Sequence, residues 1–398
     1  MLEKLLAKIE ENKDQMIDIR RYLHENPELS FEEVNTSKYI ADFYKDKDVD
    51  VQTNVGNHGV KVTIDSGKPG KTLAIRADFD ALPIEEATGL PFASKNPGVM
   101  HACGHDAHTA YILILADALI ELKDEFEGKI VIIHQDAEEV PPGGAIGMIK
   151  DGVLDGVDNA FGIHVMSNKP YGEIHYVPGE AQNGRAKFVL KVQGVGGHGS
   201  SPHEANDAIV AASYFVTAIQ TVVSRRLSPF DTGVVTIGSF DGKGSFNAIK
   251  DSVVLEGDVR GMSEEVRKKI EDEVKRIIKG LEVIYNVTCE LDYANDYPVL
   301  YNDPELTEHI GAVLSEANLE DVTEVVKVGP MSPSEDFAYY AKEVPSSFFY
   351  VGAAPVDKEA FPHHHPKFDI EEGSMMIAAR AMATVVADYF SNDQSENK

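Results

Sequence analysis

The sequence predicts an α/β protein, in which a larger domain built on a mixed sheet covered by helices carries an inserted ferredoxin-like α+β domain. Three observations predict it. Apolar runs of strand length alternate with helical periodicities over residues 60–165, the rhythm of a sheet with helices on both faces. Past Pro178 the order becomes β-α-β-β-α-β, the ferredoxin-like arrangement. After Tyr297-Pro298 the helix and strand alternation resumes. The expected organisation is residues 1–182 as the first part of the larger domain, 183–296 as the insert and 297–398 as the second part.

Each element has its own signal. Leu2, Leu5, Leu6, Ile9, Met16, Ile17 and Leu23 recur at three- and four-residue steps, predicting one amphipathic helix that ends near Asn26-Pro27. A second helix is expected over 31–44, with Ser30 as N-cap and Glu33 as its reciprocal cap. Strands at 60–64 and 72–77 flank the turn-rich segment 65–70. A buried helix at 107–122, a strand at 129–134, a helix at 144–150 and a strand at 160–165 follow. The insert reads as strand 185–192, helix 206–225, strands 234–240 and 252–260, charged helix 263–279 and strand 287–293. Helices 304–317 and 335–342, strand 347–351 and helix 375–389 complete the chain, and the polar tail 391–398 is expected to fray.

With 398 residues, 43% hydrophobic and 26% charged, the chain is too long for one typical domain. A formal net charge of −29 argues against nucleic acid or an anionic membrane surface as the main partner. Only Cys103 and Cys289 are cysteines, so a disulfide framework is not expected and a reducing cytoplasm fits. The segment MLEKLLAKIEENKD is charged throughout, unlike a signal peptide, and no unbroken apolar run approaches the roughly 20 residues of a membrane span.

The densest chemistry is His101-Ala102-Cys103-Gly104-His105-Asp106-Ala107-His108, where five groups able to hold a transition metal fall within eight residues. Cys103 and His105 sit two apart in a glycine-containing loop leading into a helix, whose amino end favours a thiolate. His101 and His108 are either further ligands or hydrogen-bonding supports. Glu138 and Glu139 lie just past an apolar strand, where α/β sheets open their crevice, and two carboxylates there can divide metal binding from proton transfer. His164 ends the next strand, and His363, His364 and His365 lie near the carboxyl end. Asp78 and Asp80 follow a central strand, placed to orient a histidine ligand by accepting its other ring N–H.

The motifs RYLH at 21–24, PELS at 27–30, RADFDALP at 76–83, HACGHDAH at 101–108, DAEE at 136–139, GGHGSSPH at 196–203, FNAIKD at 246–251, SEDF at 334–337 and HHHPKFD at 363–369 run in order along nearly the whole chain. Together they resemble the M20 metallopeptidase family, in particular its amidohydrolase branch of indole-acetyl-amino-acid hydrolases, hippurate hydrolases and aminoacylases. The resemblance implies two divalent ions (zinc, manganese, cobalt or nickel) held by Cys103, His105, Glu139, His164 and one carboxyl-terminal histidine, which its position two residues before the proline makes His364. It implies that Glu138 is the general base, that His198 in the insert reaches a neighbouring subunit's site to stabilise the oxyanion, and that Asn247 and Arg260 contact substrate. A homodimer or larger homo-oligomer through the insert follows from the same likeness. Two positions depart from the branch: Asp136 stands where proline is usual before Ala-Glu-Glu, and Lys250 replaces the proline of the Asn-x-Ile-Pro motif.

The expected activity is metal-dependent hydrolysis of the amide bond of an N-acyl amino acid or small dipeptide-like substrate by metal-activated water. Two rivals remain at this stage. Cys103 can be read as the nucleophile of a cysteine hydrolase, and the cluster as a non-catalytic site that binds metal or ligand.

Overall fold

A computed structural model of the chain describes residues 1–396, with side chains described through Ser391. The chain divides into two compact units, one of Met1–Ala181, Tyr301–Gly329 and Asp336–Lys398, the other of Gln182–Leu300 and Pro330–Glu335.

The first unit is built on an eight-stranded mixed sheet. Across it lie Asp50–Val55, Gly59–Asp65, Lys129–Gln135, Thr72–Asp78, Asn159–Met166, Ser346–Gly352, Glu173–Tyr176 and Glu324–Lys327. Lys129–Gln135, Thr72–Asp78, Asn159–Met166 and Ser346–Gly352 run parallel, so their carboxyl ends share one edge. These four are near-continuous apolar runs because helices cover both faces. Helix His105–Glu121 is apolar almost all round for a related reason. It packs on Thr72–Asp78 and against helices Lys13–Glu25 and Gly373–Glu396.

The second unit has a four-stranded sheet in the order Gly233–Asp241, Ser252–Gly261, Gly184–Gln193, Thr288–Asn295, with every neighbouring pair antiparallel. Helices Ala208–Thr221 and Glu264–Tyr285 close its core, which centres on Phe188, Leu190, Phe215, Leu255 and Ile270. This is the ferredoxin-like order. Among the described residues, the helical stretch Ala208–Arg226 is long and apolar enough to cross a membrane by length and composition. Its Ala211, Phe215 and Ile219 are instead buried in the core of this unit.

Several elements differ from the sequence expectation. The first helix is two, Leu2–Glu11 and Lys13–Glu25, because the Asn12 side chain donates to the Lys8 carbonyl at 2.9 Å and interrupts the ladder. Residues 31–33 are outside the next helix, Val34–Phe43. Ser30 does not cap it: its hydroxyl donates to Asp80 at 2.7 Å, and Glu33 accepts from the Ala137 amide at 2.8 Å. Strand Asp50–Val55 carries no apolar alternation since it is an exposed edge, and its polarity hid it. The final helix is assigned over Gly373–Glu396, into the tail expected to fray, and residues 397–398 of that tail lie outside the described residues. Residues 330–335, expected in the larger domain, cluster with the second unit.

Leu113 is fully buried midway along helix His105–Glu121. Leu113→Ala should lower stability by about 2–5 kcal/mol, measured by urea denaturation with far-ultraviolet circular dichroism; a change below about 0.5 kcal/mol would contradict this packing.

Candidate metal centre

The parallel strands deliver their following loops to one edge of the sheet, and the amino end of helix His105–Glu121 meets them there. Gly104, the residue before that helix, has φ +95°. A side chain would place Cβ 2.5 Å from Val165 Cγ2, so the turn needs glycine for both its conformation and its space. Ala137 at φ +51° and His364 at φ +64° are held in the same left-handed region without being glycine. Each adjoins a site carboxylate or is itself a site histidine, and such strain persists only where surrounding contacts over-determine it.

Hydrogen bonds sort the histidines, because a neutral imidazole carries one N–H and the group at one ring nitrogen decides what the other can do. His105 Nδ1 faces the Asp80 carbonyl at 3.0 Å and its carboxylate at 3.1 Å, both acceptors, so Nδ1 carries hydrogen and Nε2 points into the centre. His164 Nδ1 likewise donates to the Val165 carbonyl at 2.7 Å, leaving Nε2 at 3.6 Å from Cys103 Sγ. His108 is the reverse case. Its Nε2 accepts the Val165 amide at 2.9 Å and its Nδ1 donates to Asp78 at 2.6 Å, so neither nitrogen is available to an ion. Both ring nitrogens of His101 are buried, with no protein hydrogen-bond partner.

Cys103 Sγ, His105 and His164 can offer atoms within 4.8 Å of one another, and so can Cys103, Glu139 and His364. The two sets share Cys103, and a third, His105, Glu138 and Glu139, overlaps both. His364 Nε2 lies 3.2 Å from Glu139 Oε1. His363 also reaches the cluster, with Nδ1 at 3.6 Å from Cys103 Sγ and Nε2 accepting the Ser167 amide at 3.3 Å. The His365 Nδ1 accepts the Lys367 amide at 3.0 Å.

Asp80 orients His105 as expected from its position, and it also accepts the Glu139 amide at 3.0 Å. Asp78 does not take the His105 Nδ1–H. One of its oxygens accepts from His108 and the other from Arg76 at 2.5 Å, because Arg76 is buried in the same strand and needs a counterion. Arg76 also bonds Gln135 at 2.9 Å and Asp336 at 2.8 Å. A second buried arginine, Arg20, pairs with Asp106 at 2.9 Å and Asp369 at 3.2 Å, and His24 adds a 2.8 Å contact to Asp106. Neither network was legible beforehand, although an arginine within an otherwise apolar strand is a readable signal.

Burial and the carboxylates Glu139, Glu138 and Asp78 all push the Cys103 thiol well above its ordinary value. This outweighs the helix amino end that sequence reading expected to favour a thiolate. Burial alone would lower His105, but Asp78, Asp80 and Glu139 carry it up to about 10. The centre is therefore a trap for positive charge. His105 Nε2 is buried without a hydrogen-bond partner, and Glu139 Oε1 is approached by His364 Nε2. A soft sulfur, imidazole nitrogens and carboxylate oxygens, with the buried His105 Nε2 unsatisfied among them, fit divalent transition metals.

His198, Asn247 and Arg260 lie in the second unit. His198 pairs with Ala248 in a two-stranded ribbon, and the Gly199 amide donates to the Asn247 carbonyl at 2.8 Å, so His198 and Asn247 are neighbours. The Ser200 amide donates to His198 Nδ1 at 3.2 Å, which leaves the hydrogen on Nε2. The Asn247 side-chain carbonyl accepts from Ser245 at 2.8 Å. Arg260 Nε bonds Asp258 at 2.9 Å and Nη1 bonds Ser334 at 2.7 Å, so part of the fork expected for a substrate carboxylate is already engaged.

Glu33 accepts the amide of strained Ala137, just before Glu138. Burial, with Asp80 next, pushes its carboxyl up to about 9. A carboxyl raised in the folded state contributes stability that is fully present below its unfolded value near 4.5 and lost as pH rises through 9. Glu33→Gln keeps the acceptor and never ionises. Its melting temperature relative to the parent should rise progressively between pH 5 and pH 9, and a constant difference would show that Glu33 is not held neutral.

The model of Peptidase family M20/M25/M40 matches residues 74–388. YhaA of Bacillus subtilis (strain 168), an amidohydrolase by name, is 43% identical over 377 residues, 94% of this chain and 95% of that protein. Thermostable carboxypeptidase 2 of Saccharolobus solfataricus is 38% identical over 396 residues, 98% and 99% of the two chains. A crystal structure from methicillin resistant Staphylococcus aureus, bearing the name aminohydrolase, has a TM-score of 0.95 at 66% identity and covers 98% of this chain and 100% of that one. The Bacillus subtilis YXEP protein, described as a dinuclear metal binding peptidase, has a TM-score of 0.83 at 30% identity, with 96% and 99% covered. By motif order, fold and matched length together, the chain belongs to peptidase family M20/M25/M40, metal-dependent hydrolases of amide bonds.

Proposed function

We propose that the protein is a two-metal amidohydrolase that cleaves the amide bond of N-acyl amino acids or small dipeptide-like substrates. The observation that carries this reading is the pair of ligand sets sharing Cys103, with Glu138 beside them and His105 Nε2 unsatisfied. Cys103, His105, Glu139, His164 and His364 hold the ions; zinc, manganese, cobalt and nickel all suit this mixed donor set. Ions bound there polarise the scissile carbonyl and make water a better nucleophile near neutral pH.

Glu138 adjoins the ligand Glu139 and takes the proton of the attacking water, then delivers it to the leaving amine. Asp80 fixes the His105 ring, and the Asp78–His108 pair braces the strand end that carries His164. In the second unit, the Nε2–H of His198 is directed to the developing oxyanion of a neighbouring subunit's site, a role that its hydrogen-bonded Nδ1 suits. Asn247 and the unengaged hydrogens of Arg260 bind substrate, the arginine at its carboxylate. The name carboxypeptidase on one relative is in keeping with a substrate that ends in an amino acid.

A homodimer through the insert belongs to the same reading. Helix Ala208–Thr221 exposes Ile209, Val210 and Tyr214, and the edge strand Gly233–Asp241 exposes Val234 and Phe240. A cytoplasmic location is in keeping with the free thiols of Cys103 and Cys289.

The cysteine-hydrolase rival has the Cys103–His164 contact in its favour, yet the neighbouring carboxylates oppose a thiolate without a cation. Glu138→Gln should keep its bound ions while kcat on acetyl, benzoyl or indole-acetyl amino acids falls about 10²–10⁴-fold. Full turnover by that variant would remove the assigned base, and activity untouched by a chelator would favour the thiol mechanism. Light scattering should give twice the 43.5 kDa chain mass for the parent protein and the single mass for Tyr214→Glu combined with Val234→Lys. A parent protein at 43.5 kDa would refute the dimer.

A further inference from the structure

Two histidines approach Cys103 Sγ at the same 3.6 Å, His164 through Nε2 and His363 through Nδ1. Distance alone makes them equivalent. What differs is the backbone group at the far nitrogen of each ring. His164 Nδ1 meets a carbonyl, Val165, at 2.7 Å, and so holds the ring hydrogen and leaves Nε2 as a lone pair facing sulfur. His363 Nε2 meets an amide, Ser167, at 3.3 Å, and an amide can only donate. Nε2 is then the acceptor, and the one ring hydrogen of His363 sits on Nδ1, directed at Cys103, where Sγ lies at 3.6 Å and the backbone is a second partner.

We propose that His363 is a hydrogen-bond donor to the Cys103 sulfur, a positioning residue for that ligand, and that it holds no ion itself. A ring whose Nε2 accepts an amide would have to lose its last hydrogen to coordinate through Nδ1. His108 repeats the arrangement with an amide two residues earlier along the chain: its Nε2 accepts the Val165 amide and its Nδ1 donates to an anion, Asp78. Val165, near the end of strand Asn159–Met166, and Ser167, in the turn just past it, each offer an amide to the Nε2 of one of these rings.

The donor has a function that the surroundings make clear. Glu139, Glu138 and Asp78 all act against negative charge on Cys103. An N–H aimed at sulfur offsets part of that repulsion and withdraws electron density from a coordinated thiolate, as hydrogen bonds to ligand sulfurs do elsewhere. It also explains why adjacent histidines in one run play different parts. His364, with φ +64°, turns its Nε2 to Glu139 while His363 turns to Cys103.

This inference rests on Cys103 being a ligand, and cobalt separates the two claims. Co²⁺-loaded parent protein should show a near-ultraviolet sulfur-to-cobalt charge-transfer band; if it shows none, the ligand set and this inference both fall. With the band present, His363→Phe should keep two ions per subunit, shift the band to lower energy and weaken Co²⁺ binding by about 10-fold or more. His363→Gln, which restores an N–H, should shift it less and serves if the phenylalanine variant does not fold. An unmoved band in the variants, or a stoichiometry reduced to one ion as expected for His364→Ala, overturns the inference while leaving Cys103 as a ligand.

Discussion

Negative charge gathered around a half-buried thiol is the constraint on which the first unit depends. Glu138, Glu139 and Asp78 act together on half-buried Cys103, and a low-dielectric site raises the cost of each unneutralised carboxylate. The fold answers with positive charge placed by tertiary contact. Arg76 takes one side of Asp78 as well as Asp336, and Arg20 takes Asp106 and Asp369. Burial alone would lower Arg20, but Asp106, Asp369 and Glu372 raise it instead, so its charge is secure. The face formed by Cys103, His105 and Glu139 has no arginine or lysine of this kind, and its mixed sulfur, imidazole and carboxylate donors fit a divalent cation.

The same edge of the sheet controls protonation through its backbone. Carbonyls of Asp80 and Val165 fix hydrogens on the far nitrogens of His105 and His164, while the Val165 and Ser167 amides do the opposite for His108 and His363. Residues of one type in one cluster thus become lone-pair donors or hydrogen-bond donors according to which peptide group lies behind them. The loop of Glu138 is held as firmly: Glu33 accepts the Ala137 amide and Asp80 the Glu139 amide. Asp136 accepts the His58 amide at 2.9 Å, a hydrogen bond that ties the start of this loop to a distant turn.

Legibility in the sequence followed the range of the interaction. The buried strands Thr72–Asp78 and Asn159–Met166 and helix His105–Glu121 were readable because burial on all sides leaves long apolar runs. Edge strands Asp50–Val55 and Glu324–Lys327 were not, since solvent on their faces erases the pattern. Ser30 and Glu33 looked like a helix cap from local spacing, yet each is engaged by a residue far along the chain, Asp80 or Ala137. A capping motif describes a local hydrogen-bond economy, and here distant partners claim the same atoms.

Composition, periodicity and motif order by themselves determined the α/β class, the ferredoxin-like insert and the gathering of Cys103, His105, Glu138, Glu139 and His164 into one reading, because a hydrophobic period and a short ligand-bearing loop are local properties. Only the tertiary structure decided that Asp78 serves His108 rather than His105, that Glu33 braces Ala137, and that His363 and His364 face different partners. Those outcomes depend on which peptide group or side chain lies 2.6 to 3.6 Å away after folding. A one-dimensional pattern carries no record of that proximity when the partners are separated by most of the chain.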